Sequence, residues 1–245
     1  MNPTQALHDL GQSLWLDNIT RDLLDSGTLQ RYIRELSITG LTSNPTIFDE
    51  AIAKGAAYDP SIRAAAARGD STEEIFLTLA LEDLRRAADL LRPAFEASGG
   101  MDGWVSLEVS PLLAADTAGT IEAAAAIHAR AARPNLFIKI PGTPAGVPAI
   151  EESIYRGIPV NVTLLFSTAQ YLAVAEAYLR GIERRIAARL NPAVNCVASL
   201  FISRWDRAVA DQVPPTLHNQ LGIAVGRQCF AAYRELLGSA RWQRL

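Results

Sequence analysis

The stretch Leu136–Phe137–Ile138–Lys139–Ile140–Pro141–Gly142–Thr143 predicts a short, buried β-strand that ends at Pro141. A lysine lies near the end of this apolar run, in a chain that has 21 arginines and only two lysines, Lys54 and Lys139. Burial disfavours the charged form of a lysine, and the neutral amine can form a Schiff base with a ketone or aldehyde. Lys139 is therefore a candidate nucleophile. The alternative is a strand-end lysine whose stem is buried while its charged head reaches water.

Short apolar runs alternate with helical patterns on both sides of this stretch. The predicted strands are 13–17, 37–42, 104–109, 136–140, 159–163 and 195–201. Strands that alternate with helices indicate parallel βαβ units, and strands that are apolar on both faces are typical of a sheet covered on each side. No predicted strand is followed by a Gly-rich nucleotide-binding motif. The pattern therefore favours an α/β fold of the (β/α)8 TIM-barrel type.

Polar side chains fall at the C-terminal ends of all six predicted strands, where barrel enzymes carry their chemistry. These side chains are Asp17, Thr42 and Asn44, Glu108, Lys139, Asn161 and Thr163, and Ser199. Asp17 and Glu108 lie on separate strands and suit divided acid and base roles. Arg204 starts the helix after the sixth strand, where its forked donors and the helix amides could bind a phosphate.

Each of these side chains also has an ordinary structural explanation. The ordinary roles are a helix cap for Asp17, a turn before a proline for Asn44, a salt bridge for Glu108, a strand position for Thr163, and pairing with Asp206 or solvent for Arg204. Polar groups at six successive strand ends make a stronger case for chemistry than any one of them alone.

Composition argues against several classes of protein. The net charge of −3 gives no general attraction to nucleic acid or to anionic membranes. No apolar run reaches the roughly 20 residues of a membrane span, and residues 1–8 lack the pattern of a signal peptide. Cys196 and Cys229 are too few for a disulfide framework and lack metal-ligand spacing, and Cys196 reads as a small core residue. We therefore expect a cytoplasmic protein without a metal, a nucleic-acid partner or a membrane partner.

Six segments, in order and spanning nearly the whole chain, resemble the transaldolase family in its longer bacterial branch. They are Leu16–Asp17, Thr42–Ser43–Asn44–Pro45–Thr46, Val105–Ser106–Leu107–Glu108–Val109–Ser110, Ile138–Lys139–Ile140–Pro141, Asn161–Val162–Thr163–Leu164–Leu165–Phe166–Ser167 and Ala198–Ser199–Leu200–Phe201–Ile202–Ser203–Arg204. The resemblance implies a (β/α)8 barrel of the class I aldolase type that needs no cofactor. It also implies transfer of a dihydroxyacetone unit, in the non-oxidative pentose phosphate pathway, from fructose 6-phosphate or sedoheptulose 7-phosphate to erythrose 4-phosphate or glyceraldehyde 3-phosphate.

The resemblance also implies a role for each matched residue. Lys139 matches the Schiff-base lysine, Asp17 the general acid and base, and Glu108 with Thr163 the pair that holds a catalytic water. The residues matched to substrate binding are Thr42, Asn44, Asn161, Ser199, the pocket aromatic Phe201 and the phosphate ligand Arg204. Two alternatives stay open: another class I (lysine) aldolase, and an inactive barrel fragment that binds sugar phosphates.

The C-terminal part departs from the family pattern. Members of this branch continue past a segment like 241–243 with two more strands, a further phosphate contact and a C-terminal helix. We therefore expect a single barrel domain over 1–245, truncated or fragmentary, with about six βα units. A polypeptide that ends at Leu245 would bind phosphate weakly, expose a sheet edge and have poor activity. Its partners would be small sugar phosphates, and its open edges would allow a homo-oligomer.

Overall fold

A computed structural model describes residues 2–245, except for the side chain of Lys54. The chain divides into two compact units. Unit 1 consists of Met1–Glu108 and Ile127–Phe137, and unit 2 of Val109–Ala126 and Ile138–Leu245. The single domain expected over 1–245 stays a prediction.

The observed strands match the six predicted ones to within two residues at each end. They are β1 Leu14–Asp17, β2 Ile38–Thr42, β3 Trp104–Glu108, β4 Leu136–Pro141, β5 Val160–Leu165 and β6 Cys196–Leu200, in one sheet whose order follows the sequence. The pairings β1–β2, β2–β3, β4–β5 and β5–β6 are parallel, as the alternating pattern predicts.

Helices connect the strands, and two α-helices follow the last strand. They are α1 Pro3–Asp9, α2 Arg21–Asp25, α3 Thr28–Leu36, α4 Pro45–Lys54, α5 Asp59–Ala67, α6 Thr72–Ala97, α7 Thr117–Ala131, α8 Gly146–Tyr155, α9 Thr168–Ala187, α10 Ser203–Val209 and α11 Leu221–Gly238. A separate 3-10 turn at Pro215–Leu217 precedes the last of these helices. Within residues 2–245, no helix has the length and apolar character needed to cross a bilayer.

In unit 1, β2 and β3 pack against the long helix α6, and β1 pairs with β2. Ser71 caps α6 by accepting a hydrogen bond from the N–H of Glu74 at 3.2 Å, and apolar side chains recur on its buried face at helical spacing. Asn135 links this helix to the sheet because its Nδ2 donates to the carbonyls of Ala88 at 2.9 Å and Gly103 at 2.8 Å. The start of β4 is joined to β3 by the N–H of Val105, which donates to the carbonyl of Asn135 at 3.0 Å.

An aromatic layer fills one face of unit 1. The rings of Trp104 and Phe137 stack with centroids 3.9 Å apart, and Trp15 stacks on Phe137 at 6.2 Å. Gly40 lies opposite both Trp15 and Trp104 in the strand register. A Cβ atom at Gly40 would lie 2.4 Å from the Trp15 ring. The absence of a side chain on β2 at this point therefore gives the indole its space.

Replacing Gly40 with alanine is expected to destabilise the protein by about 2 kcal/mol, because the Trp15 ring cannot move without disturbing the aromatic stack. Denaturant unfolding of wild type and Gly40→Ala measures this difference. Gly238→Ala is the matched control, since no atom lies within 4 Å of a Cβ there, and we expect a change below about 0.5 kcal/mol. Equal unfolding midpoints for the two variants would contradict this account of the layer.

Unit 2 contains the C-terminal part of β4 with β5, β6 and helices α8 to α11. The register pairs Lys139 with Asn161 and Pro141 with Thr163. Helix α9 lies close against α8, because a Cβ atom at Gly181 would be only 2.8 Å from the side chain of Ile154. Helices α8 and α9 contact β5, and the residues of β4 and β5 are almost all buried.

Strand β5 contains a β-bulge near its C-terminal end. The register of β5 against β6 shifts between Val162 and Leu165, so that β5 has one residue more than β6 over this span. Leu164 lies there with φ +59°, in the left-handed region that non-glycine residues seldom adopt. After this bulge, Leu165 pairs with Leu200, and its carbonyl accepts the N–H of Phe201 at 2.8 Å.

Candidate active site

Lys139 lies on the most completely buried strand of unit 2. All six residues of β4 are buried, and Lys139 is 8% exposed. Its main-chain carbonyl accepts a hydrogen bond from the N–H of Val109 at 3.1 Å. The predicted burial of this lysine near the end of an apolar strand is thus confirmed.

Polar side chains share the strand face of Lys139. In parallel strands, residues in register point to the same face, and residues two apart along a strand do so as well. Asn161 and Thr163 therefore lie on the face of Lys139, and each is 2% exposed. Ser199, on β6, donates from Oγ to Oδ1 of Asn161 at 2.8 Å. The face combines an amine, an amide and two hydroxyls, which can donate and accept hydrogen bonds to a polyhydroxylated ligand.

Phe201 and Arg204 come just after β6 in the chain. Phe201 was expected inside the sixth strand but is the first residue after it, and its ring meets Phe166 edge-on with centroids 5.2 Å apart. The guanidinium of Arg204 lies 4.7 Å from the centre of the Phe201 ring. Arg204 is exposed, as one of its ordinary explanations supposed. Among residues 2–245 the supposed pairing of Arg204 with Asp206 is not observed, and Oδ1 of Asp206 accepts the N–H of Gly222 at 3.0 Å.

The remaining candidate residues lie in unit 1, at the ends of three neighbouring strands. Asp17 pairs in register with Thr42, and Thr42 with Ser106, so these side chains share one face of the strands. Glu108 lies two residues beyond Ser106 on the same face of β3. The helix-cap explanation for Asp17 is wrong, since Oγ1 of Thr20 caps α2 by accepting the N–H of Leu23 at 3.0 Å.

Thr42 and Asn44 differ in how their polar atoms are used. The buried Oγ1 of Thr42 has no hydrogen-bond partner among residues 2–245, which leaves it able to bond to a ligand. Asn44 caps α4, because its Oδ1 accepts the N–H of Ile47 at 3.1 Å, and Pro45 occupies the first helical turn. Its backbone is extended, with φ −144° and ψ 163°, as expected for a residue before proline. The ordinary structural explanation for Asn44 is thus partly confirmed, as a cap rather than a free turn.

Sequence reasoning missed three polar residues close to the candidate residues. Ser106 is fully buried, and its carbonyl accepts the Oγ–H of Ser43 at 2.9 Å. The signal was a serine in the middle of the otherwise apolar run of β3. Gln170 and Trp205 hydrogen-bond to the backbone of Phe166. Gln170 completes a Ser-x-x-Gln pattern at the start of α9, whereas nothing in the local sequence of Trp205 predicts its contact.

The cysteines and histidines are the residues that could supply a reactive thiol or metal ligands. Cys196 is half-buried, and burial raises the pKa of its thiol to about 12, so that it is not a thiolate at neutral pH. In the part of the chain that the structure describes, no three His, Cys, Asp or Glu side chains are grouped as metal ligands would be.

Residues 14–243 match the sequence model of the family described as transaldolase/fructose-6-phosphate aldolase. The chain belongs to this transaldolase family. Transaldolase of Thermobifida fusca is 45% identical over 252 residues, which cover 100% of this chain and 68% of that protein. Transaldolase 2 of a Nostoc species is 38% identical, with 100% and 69% covered, and transaldolase of Thiobacillus denitrificans is 44% identical, with 96% and 68% covered. The chain thus spans about two thirds of the length of these relatives.

Membership of the transaldolase family bears on both the fold and the function of the chain. The six parallel strands with their helices are part of a (β/α) fold of the TIM-barrel type, as predicted. The family model and the relatives support transaldolase function, which makes the protein a transferase. They do not favour the two alternatives, another class I aldolase and an inactive sugar-phosphate-binding barrel.

Proposed function

We propose that this member of the transaldolase family transfers a dihydroxyacetone unit through a Schiff base on Lys139. The donor is fructose 6-phosphate or sedoheptulose 7-phosphate, and the acceptor is erythrose 4-phosphate or glyceraldehyde 3-phosphate. The observation that carries the proposal is Lys139 itself, buried on β4 and in register with Asn161 in a chain of this family. The non-oxidative pentose phosphate pathway, the cytoplasmic location and a homo-oligomer stay predictions.

The first step is imine formation. Nζ of Lys139 adds to the C2 carbonyl of the ketose, and water leaves as the protonated imine forms. This step needs proton transfer to the departing oxygen. By their resemblance to the family, Glu108 and Thr163 hold the water molecule that carries the proton.

The second step breaks the C3–C4 bond of the donor. Asp17 takes the proton of the C4 hydroxyl, the C4 oxygen becomes an aldehyde, and the bonding electrons move into the imine to give an enamine. The acceptor aldehyde then reacts by the reverse sequence, with Asp17 returning the proton to the new hydroxyl. Hydrolysis of the last imine restores the Lys139 amine, so that no electrons are gained or lost overall.

The substrate-binding residues have chemically distinct tasks in this proposal. Hydroxyl groups of the sugar chain exchange hydrogen bonds with the side chains of Thr42, Asn44, Asn161 and Ser199. Phe201 provides an apolar wall, and Arg204 provides paired N–H donors for the phosphate. The seven-residue helix α10 is short, so Arg204 itself carries the phosphate contact in this proposal.

The test is intact-mass analysis after incubation with fructose 6-phosphate and reduction with borohydride, which converts an imine into a stable secondary amine. We expect an adduct the size of dihydroxyacetone on Lys139 and no adduct in Lys139→Ala. Because the chain has only two lysines, Lys54→Arg is a complete matched control and should keep the adduct.

Three outcomes would change the proposal in different ways. An adduct that retains the whole sugar phosphate would show imine formation without bond cleavage, and would refute the proposed cleavage step. An adduct that persists in Lys139→Ala but is lost in Lys54→Arg would assign the chemistry to the other lysine. A folded wild-type protein without any adduct would overturn the proposed function.

A further inference from the structure

The backbone of Phe166 is held from both sides by side chains of other segments. Its N–H donates to Oε1 of Gln170 at 2.8 Å, and its carbonyl accepts the indole N–H of Trp205 at 2.8 Å. Phe166 is the first residue after β5, directly beyond the bulge at Leu164. The two hydrogen bonds therefore hold the peptide groups on both sides of the Phe166 Cα, where the chain leaves the sheet.

Holding these two peptide groups fixes the direction in which the Phe166 side chain leaves the backbone. The ring packs edge-on against Phe201, at 5.2 Å between centroids and 62° between planes. The N–H of Phe201 donates to the carbonyl of Leu165, so both residues are tied to the same strand end. Arg204 lies over the Phe201 ring at 4.7 Å. A continuous series of contacts thus runs from the Trp205 indole through two phenyl rings to the Arg204 guanidinium.

An exposed arginine has many rotamers, and ordering it for a ligand costs roughly 1.5–2 kcal/mol of side-chain entropy. An aromatic ring beneath the guanidinium reduces this cost, because the planar group is already held parallel to a surface. The ring can do so only if it is itself fixed, which here depends on the edge of Phe166.

We propose that Trp205 is a positioning residue for Arg204 and acts through the Phe166 backbone and the Phe166–Phe201 ring pair. What it positions is the guanidinium that receives the phosphate of the sugar phosphate. The identity of that ligand rests on the proposed function, whereas the series of contacts does not.

Only one of the two side chains that hydrogen-bond to Phe166 also has a local structural role. Gln170 lies in the first turn of α9, where Oγ of Ser167 accepts its N–H at 3.2 Å, so its side chain also belongs to the start of that helix. Trp205 lies 39 residues further along the chain than Phe166, and no local motif requires its contact. The test is therefore made on Trp205.

Binding of glucitol 6-phosphate, measured by calorimetry, reports on the phosphate contact without the chemistry, because this polyol phosphate has no carbonyl and cannot form an imine. Trp205→Phe keeps a ring and removes the N–H donor. We expect its Kd to rise about five- to tenfold, as for one lost hydrogen bond, and that of Arg204→Ala to rise about 30-fold or more. Adding Trp205→Phe to Arg204→Ala should weaken binding by less than about twofold, since both act on one contact.

Turnover and a second variant complete the test. With fructose 6-phosphate as donor, Trp205→Phe should raise KM while kcat changes by less than about twofold. Phe166→Leu keeps the backbone hydrogen bonds and removes the ring, and it should reproduce the loss of binding if Trp205→Phe does not fold. Gln170→Glu keeps an acceptor for the Phe166 N–H and should bind glucitol 6-phosphate as wild type does.

Additive losses in the double variant would overturn the proposal, because they would show that Trp205 acts elsewhere. So would a folded Trp205→Phe with unchanged Kd, or a wild-type protein that does not bind glucitol 6-phosphate. Binding of this probe without a borohydride adduct would leave the positioning role intact and refute the proposed function. A borohydride adduct without binding of glucitol 6-phosphate would refute the positioning role and leave the proposed function intact.

Discussion

The Lys139→Arg variant is expected to lose about 10⁴-fold or more in kcat/KM for transfer from fructose 6-phosphate to erythrose 4-phosphate. Arginine has a side chain somewhat longer than that of lysine, but its guanidinium stays protonated and has no free electron pair to attack a carbonyl. The covalent route is then closed, and a loss of this size corresponds to about 5.5 kcal/mol of transition-state stabilisation. Coupled assay of released glyceraldehyde 3-phosphate measures it.

The controls separate chemistry from folding. Lys54→Arg makes the same substitution at the other lysine of the chain and should stay within about twofold of wild type. Thermal unfolding of Lys139→Arg shows whether the longer side chain is accommodated on a strand whose residues are all buried. A folded Lys139→Arg protein that retains more than about 1% of wild-type kcat/KM would exclude the Schiff-base route, because no arginine can replace that nucleophile.

Lysine scarcity made Lys139 recognisable from the sequence. In a chain that otherwise carries its positive charge on arginine, one of two lysines interrupts an apolar strand. Because successive strands of a parallel sheet end at the same edge, the polar residues of β5 and β6 could be predicted to share its face, and the hydrogen bond between Ser199 and Asn161 joins two of them. These predictions needed only strand periodicity and the alternation of helices and strands.

Contacts between distant segments could not be predicted in this way. The bulge at Leu164 depends on the pairing of β5 with β6, because a leucine in an apolar run gives no sign that its backbone will be left-handed. The position of the Trp205 indole is explained only by its hydrogen bond to the carbonyl of Phe166, which lies 39 residues earlier in the chain. Asn44 was given the ordinary role of a turn residue before Pro45, but it caps α4, and neither role indicates a ligand contact.

A buried ionic cluster in unit 1 was missed for the same reason. Asp83, in the middle of α6, is fully buried, and its two oxygens accept the Nε–H of Arg21 at 2.9 Å and the hydroxyl of Tyr58 at 2.8 Å. Arg21 also donates to Glu82 at 2.7 Å, and its guanidinium lies 4.7 Å from the centre of the Tyr58 ring. The cluster ties α2 and the turn at Tyr58 to α6. In the sequence, Asp83 follows Glu82 and looks like one more charge on a helix.

The energetics of this cluster depend on its being complete. Burial raises the pKa of Asp83 although Tyr58 and Arg21 act in the opposite direction, so desolvation is the larger effect on this carboxyl group. An apolar cluster of the same shape could therefore be as stable. Removing one member is different, because the groups left behind stay buried without their partner.

We therefore expect Asp83→Asn to destabilise the protein by about 3 kcal/mol, since the amide presents N–H groups where Tyr58 donates and leaves the Arg21 charge without its buried partner. Urea unfolding measures the difference, and Asp89→Asn is the matched control. Asp89 lies on the same helix and pairs with both Nε and Nη2 of Arg133, but its side chain is 57% exposed, so the expected loss is below about 1 kcal/mol. If Asp83→Asn costs no more than Asp89→Asn, the hydrogen bonds of Asp83 do no more than offset its burial. The attachment of α2 to α6 would then rest on the apolar contacts around the cluster rather than on the cluster itself.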